Sequence, residues 1–233
     1  MSDMTASLAA AGSDRSALRA NFALATMLAG AFLTIMDVMI VNVALPGIRS
    51  DLGASFAQAQ FVVAGYSLTY AIALITAGRL GDLFGRRRMF MLGLAGFTAT
   101  SALCGLAPNA QILVAGRLLQ GLTAAILYPQ VLSLIRVTFA AGPERARAFA
   151  VWGAAAGFAG VIGQMLGGFL AEANLGGLGW RPLFLINIPI GVAALIASPR
   201  FIAESRSPAA QRLDLAGVAF GAIALGLLLY PLI

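Results

Sequence analysis

Gly78-Arg79-Leu80-Gly81-Asp82-Leu83-Phe84-Gly85-Arg86-Arg87-Arg88 packs four arginines and an aspartate into eleven residues, at the junction of two apolar runs, 61–80 and 90–107. Gly78 and Gly85 permit a tight chain reversal because they lack Cβ. Asp82 is placed to pair with a neighbouring arginine or to face the amino end of the helix that follows. The stretch therefore reads as a charged reversal between two apolar helices.

Working outward, the same pattern repeats. A helix that crosses a bilayer needs about 20 mostly apolar residues. Six runs meet this length: 22–45, 61–80, 90–107, 112–135, 148–171 and 183–198; a seventh, 215–233, reaches the last residue. Pro46, Gly85, Pro108, Gly142, Pro143, Gly176, Gly177 and Pro199 punctuate the gaps, and Ser55 and Gln58 have capping-box spacing ahead of the second run. The chain is 60% hydrophobic and 10% charged, with a mean hydropathy of +0.91. Soluble domains are about 45–50% apolar and about 25% charged, so charges this sparse cannot cover a soluble surface; lipid covers much of it. The expected organisation is a tail over 1–20, a six-helix unit over 21–199, a linker over 200–214 and a seventh spanning helix over 215–233.

All 15 cationic side chains are arginine, against 9 acids and no histidine, for a net charge of +6. The arginines lie in short loops between apolar runs, which suits the positive-inside rule better than a nucleic-acid surface. With the amino terminus inside, twelve arginines face the cytoplasm, Arg49 and Arg181 face outward, and Arg117 is left within a helix. The single cysteine, Cys104, excludes a disulfide framework. There is no histidine, no metal-ligand cluster and no phosphate-binding Gly-Lys-Ser/Thr motif, so neither an enzyme nor a bound cofactor or metal is expected. The arginine-only composition points to a GC-rich bacterial genome and hence a bacterial inner or plasma membrane.

Five segments carry a family resemblance. The opening stretch resembles the loop signature Gly-x-Leu-x-Asp-(Arg/Lys)-x-Gly-Arg-(Arg/Lys) of the major facilitator superfamily, with Leu83 at the usual basic position. Arg117-Leu118-Leu119-Gln120-Gly121 resembles the Arg-x-x-Gln-Gly motif of proton-coupled members. Asp37 through Ala44-Leu45-Pro46 resembles the first-helix motif of the fourteen-span drug/proton antiporters, with Met39 in place of a hydroxyl residue. Gly163-Gln164-Met165-Leu166-Gly167-Gly168 resembles the exporters' Gly-Pro-x-x-Gly-Gly, with Gln164 for the proline. Trp180-Arg181-Pro182 through Asn187-Ile188-Pro189-Ile190-Gly191 resembles the opening of that branch's sixth helix and reads as mainly architectural. The short gap before Asp214-Leu215-Ala216-Gly217 also resembles that branch.

The resemblance implies an all-α polytopic membrane protein: the six-helix N-terminal half of a major facilitator fold plus a seventh spanning helix. It implies a transporter of small molecules coupled to protons, embedded in the lipid bilayer, with no nucleic-acid partner. Its C-terminal half is missing from this chain. An importer or uniporter of a small metabolite, and a non-transporting fragment, stay open as alternatives. Asp37 and Arg117 are the candidate proton-coupling pair. At 1.5 Å per residue both lie about 22 Å from the inner face. The plainer alternatives are a structural carboxylate bonded to Asn42, Thr34 or backbone, and an arginine snorkelling to the outer interface. Gly78, Asp82, Gly85, Arg86 and Arg87 form the candidate conformational-switch loop. Gly153, Gly157, Gly160, Gly163, Gly167 and Gly168 recur mostly at three- and four-residue steps and form a candidate helix-packing face. Tyr66, Tyr70, Gln120, Tyr128 and Gln164 are candidates for cavity lining.

The arginine asymmetry yields a direct expectation for topology. Single cysteines at positions 86 and 145, in a Cys104-free background, should resist membrane-impermeant thiol reagents in intact cells. Labelling at both positions from outside would overturn the orientation.

Overall fold

The structure is a computed structural model and describes residues 2–207; the seventh run, 215–233, lies outside the described residues. Helices α1 (Ser2–Leu52), α2 (Phe56–Phe84), α3 (Arg86–Gly105), α4 (Ala110–Thr138) and α5 (Pro143–Ala173) follow in order. A one-turn 3-10 segment, Leu175–Gly177, leads to α6 (Pro182–Leu185) and α7 (Asn187–Phe201). These last two run on as a single span, Pro182–Phe201.

Each helix starts before its apolar run, and all but α3, which ends at Gly105, also run past it, because the helical backbone satisfies its own hydrogen bonds whether or not its side chains are apolar. Local chemistry sets the ends. Ser55 caps α2 in a capping box: the Gln58 amide donates to Ser55 Oγ at 3.2 Å, and the Ser55 amide donates back to Gln58 Oε1 at 2.9 Å. Asn109 caps α4 by accepting from the Ile112 amide at 2.9 Å. Pro143 occupies the first turn of α5, where a missing N–H costs nothing.

The helices at Leu18–Leu52, Ala110–Thr138, Pro143–Leu170 and Pro182–Phe201 are each long and apolar enough to cross a membrane. Helix α2 adds a fifth span only as a bent pair, Phe56–Leu74 and Thr76–Phe84, 53° apart. The expected span at 90–107 forms α3, whose twenty residues open on Arg86, Arg87 and Arg88 and so fall short of the mean hydropathy of the other spans. Its Gly93, Gly96, Thr98, Thr100 and Ser101 give up apolar bulk for close packing. A Cβ on Gly93 would stand 2.6 Å from the Leu127 backbone nitrogen of α4. The Thr98 and Thr100 hydroxyls donate to carbonyls four residues back, at 2.7 and 2.8 Å.

Helix α4 packs chiefly on α2 and α3, and α1 chiefly on α5. Two apolar cores result. One gathers Met27, Leu33, Phe90, Phe97, Leu127 and Leu134 near the arginine-rich end. The other gathers Ile40, Ile48, Val62, Leu113, Trp180 and Phe184 near the opposite end. Along α1 the boundary falls between Met36 and Ile40; along α4 it falls between Leu113 and Ala124. Asp37, Arg117 and Gln120 occupy that boundary. On the outside of the bundle Phe158, Val161, Met165 and Phe169 form an apolar stripe on α5 at steps of three and four, each more than half exposed.

Where α4 meets α2 the backbones nearly touch: a Cβ on Gly121 would lie 2.2 Å from the Tyr66 carbonyl oxygen. Gly121→Ala should therefore destabilise the protein by about 1–3 kcal/mol through overpacking. Gly157→Ala, with no described atom within 4 Å of the new Cβ, should leave stability unchanged or slightly raised. Thermal unfolding in detergent measures both; equal effects would contradict the packing described.

Candidate functional site

At the boundary between the two cores Asp37 is 0% exposed and Arg117 1% exposed. They meet directly: Arg117 Nη1 donates to Asp37 Oδ2 at 2.5 Å. The same Nη1 reaches Gln120 Oε1 at 2.7 Å, and Arg117 Nε donates to the Val62 carbonyl at 2.8 Å. Gln120 Nε2 donates to Asp37 Oδ1 at 2.9 Å and to Ser101 Oγ at 2.8 Å. Asn187, at the start of α7, donates from Nδ2 to Asp37 Oδ1 at 3.1 Å and to Ser101 Oγ at 3.3 Å. Side chains from α1, α3, α4 and α7 thus meet in one network around the carboxylate, and the Val62 carbonyl of α2 accepts from Arg117.

The local sequence of α4 makes this possible. Arg117 and Gln120 stand three apart and so share one helical face. Gly116 and Gly121 flank them, and a Cβ on Gly116 would fall 2.7 Å from Cys104 Sγ on α3. The guanidinium carbon lies 4.5 Å from the Tyr66 ring centroid and 5.8 Å from that of Phe184. Such aromatic faces stabilise a desolvated cation. Neither plainer alternative describes this geometry. Asn42 donates to the Val38 carbonyl at 3.0 Å and Thr34 to the Ala31 carbonyl at 2.8 Å, while Arg117 points inward.

A second charged cluster closes the arginine-rich end. Arg86 Nη2 meets Asp82 Oδ1 at 2.6 Å, one turn along the α2–α3 junction. Glu204, beyond α7, caps α3 by accepting from the Arg87 and Arg88 amides at 3.1 and 3.2 Å. The chain after α7 is tied down further: the Arg86 amide donates to the Ser205 carbonyl at 2.9 Å, and the Ser207 amide to the Asp82 carbonyl at 3.2 Å. Gly85 fits here for two reasons. Its φ is +107°, and a Cβ would fall 2.7 Å from Glu204 Oε1. Gly78 makes no such close approach to a described residue.

Comparison with known proteins agrees with this architecture. The sequence profile of the family described as Major Facilitator Superfamily matches residues 27–232. The chain belongs to the major facilitator superfamily. Among curated proteins it is 42% identical to a probable actinorhodin transporter of Streptomyces coelicolor, covering 91% of this chain and 36% of that relative. It is 40% identical to the methylenomycin A resistance protein of Bacillus subtilis, covering 88% of this chain and 43% of that relative. The chain therefore spans well under half the length of these relatives. Among solved structures, a peptide transporter POT in complex with sulfate shares the fold, with a TM-score of 0.66 at 17% identity over 89% of this chain and 45% of that one. The chain is thus a multi-pass membrane protein with an all-helical, major-facilitator-like fold.

Within this facilitator fold the remaining candidates separate. Tyr66 is buried, stacks on Tyr70 with centroids 6.2 Å apart, and donates to the Thr34 carbonyl at 3.4 Å. Tyr66 and Gln120 therefore belong to the buried network rather than to an open wall. Tyr70 and Tyr128 are half-buried, Tyr128 tilted against Trp152 at 6.2 Å. Gln164 is exposed, its Nε2 donating to Met39 Sδ at 3.9 Å. The glycine face of α5 also divides. A Cβ on Gly163 would fall 2.8 Å from the Met36 carbonyl oxygen of α1, and one on Gly167 3.2 Å from that of Ile40. Gly153, Gly157, Gly160 and Gly168 have no described atom within 4 Å of such a Cβ, because α1 does not approach them.

Sequence reasoning missed Asn187, Ser101 and Glu204. Asn187 carried a signal, as the lone side-chain amide within the run 183–198. The buried pair makes a clear prediction. Asp37→Asn leaves Arg117 without its carboxylate and should cost about 3–5 kcal/mol. The Asp37→Asn/Arg117→Gln double substitution should recover much of that loss. Detergent unfolding curves for the single and double variants measure it, and additive losses would contradict the pairing.

Proposed function

We propose that this chain is the amino-terminal half of a proton-driven exporter of drugs or small metabolites, from the fourteen-span drug/proton antiporter branch of the superfamily. Its setting is a bacterial inner or plasma membrane with the amino terminus cytoplasmic. The observation that carries the reading is the fully buried Asp37–Arg117 pair. An ionisable pair inside a membrane protein is costly and marks an ion or substrate pathway by default. The names of the relatives, an antibiotic transporter and an antibiotic resistance protein, support export as the direction.

The mechanism follows from the pair. Asp37 ionised holds Arg117, and through it α1, α2 and α4, in one arrangement. A proton on Asp37 removes the negative charge, so Arg117 loses its counter-ion and must find another. A cationic group on a substrate competes with Arg117 for the same carboxylate. Because Asp37 is sealed from water in this arrangement, either exchange requires the helices to shift. In this fold the two halves rock about a site near the midplane. Here that motion opens and reseals the pair on alternate sides. The Asp82–Arg86 junction and Gly85, held by Glu204, serve as the switch loop at the cytoplasmic end. Transport needs protons, a small-molecule substrate, the bilayer and the C-terminal half; the chemistry is not enzymatic.

The test uses the intact transporter in liposomes with an imposed pH gradient, assayed with ethidium, methylenomycin A and actinorhodin. Gradient-driven flux should fall to background in Asp37→Asn. Wild-type flux in that variant would overturn the reading.

A further inference from the structure

The shell around Asp37 contains donors only. Arg117 Nη1 serves Oδ2, while Gln120 Nε2 and Asn187 Nδ2 serve Oδ1. That set suits a carboxylate. A carboxylic acid carries an O–H that must itself donate, and a buried donor without an acceptor is costly.

The neighbours differ in how they can answer. Arg117 has no acceptor atom. Gln120 is locked, because its Oε1 already receives Arg117 Nη1 at 2.7 Å; turning its amide over would set an NH₂ group against the guanidinium. Ser101 Oγ is engaged by both amides and makes no bond to Asp37. Asn187 alone holds an acceptor in reserve: its Oδ1 is buried and has no partner among the described residues. Rotating the carboxamide exchanges two atoms of nearly equal size, so it needs no repacking. It gives up only the bonds of Nδ2, at 3.1 and 3.3 Å.

We infer that Asn187 is the proton-state switch of this site, a positioning residue whose carboxamide donates to ionised Asp37 and, turned over, accepts the proton that Asp37 carries. The inference rests on the proposed proton coupling at Asp37. Other titratable groups facing Asp37 are Arg117 from α4, Tyr66 from α2 and Cys104 from α3. Helix α5 carries its charges, Glu144, Arg145, Arg147 and Glu172, near its two ends. Neither Tyr66 nor Cys104 is bonded to Asp37: Tyr66 Oη is directed at the Thr34 carbonyl, 3.4 Å away, and Cys104 Sγ at Gln120 Oε1, 3.7 Å away.

Difference infrared spectroscopy tests this on the full-length protein in lipid, with asparagine carrying a ¹³C label at its side-chain carbonyl. As the acid carbonyl band of Asp37 appears on acidification, a labelled amide band should shift with it. That shift should vanish in Asp37→Asn and in Asn187→Ser. Asn187→Ser keeps a group that either donates or accepts, so the pH midpoint of Asp37 should stay near wild type. A role as donor alone predicts no shift of the labelled band to the frequency of an amide carbonyl that accepts from an acid. An Asp37 acid band with an unmoved Asn187 band would overturn the inference while leaving proton coupling intact. The absence of any Asp37 acid band at low pH would overturn both. The labelled wild-type measurement does not depend on any variant folding.

Discussion

A carboxylate and a guanidinium taken fully out of water must satisfy one another and every remaining lone pair and proton, or the helices carrying them do not pack. The desolvation of each ion costs several kcal/mol even after relaxation. That requirement organises this bundle. Asp37 on α1 and Arg117 on α4 meet between two apolar cores, and Gln120, Ser101, Asn187 and the Val62 carbonyl complete their hydrogen bonding. Helices α1, α2, α3, α4 and α7 are all engaged at this one level. The glycines flanking Arg117 matter because they let α2 and α3 come close enough for those bonds to form.

A structure held in this way is both specific and responsive. The apolar cores are indifferent to small sliding motions, since one methyl contact replaces another. The polar level is not, because each bond has a direction and a partner. A change of charge at Asp37 is therefore felt by several helices at once. At the arginine-rich end, Glu204 ties the chain beyond α7 to the start of α3. That tie links the chain that follows α7, the helix that carries Asn187, to the α2–α3 junction.

Much of this was legible in the sequence, for physical reasons. The apolar runs mark helices because a bilayer needs about 20 apolar residues. Asp37 and Arg117 stood out because charges in such runs are expensive, and a rise of 1.5 Å per residue was enough to put them at one depth. The partners were harder to see. Neutral polar residues such as Ser101 and Asn187 are tolerated singly in membrane helices, and their spacing does not reveal which helix they meet. Nothing near Glu204 in sequence announces that its carboxylate caps a helix more than a hundred residues earlier. The glycines of α5 showed a face without side chains, but only tertiary packing decides that Gly163 and Gly167 meet α1 while Gly157 does not.

In the proposed function proton and transport meet at the Asp37 carboxylate. Its most direct test follows proton exchange with the medium as the intact transporter, in weakly buffered detergent, binds a compound it transports. Bulk pH should change with the wild-type protein and should not change with Asp37→Asn. An equal pH change in a folded, substrate-binding Asp37→Asn protein would contradict it.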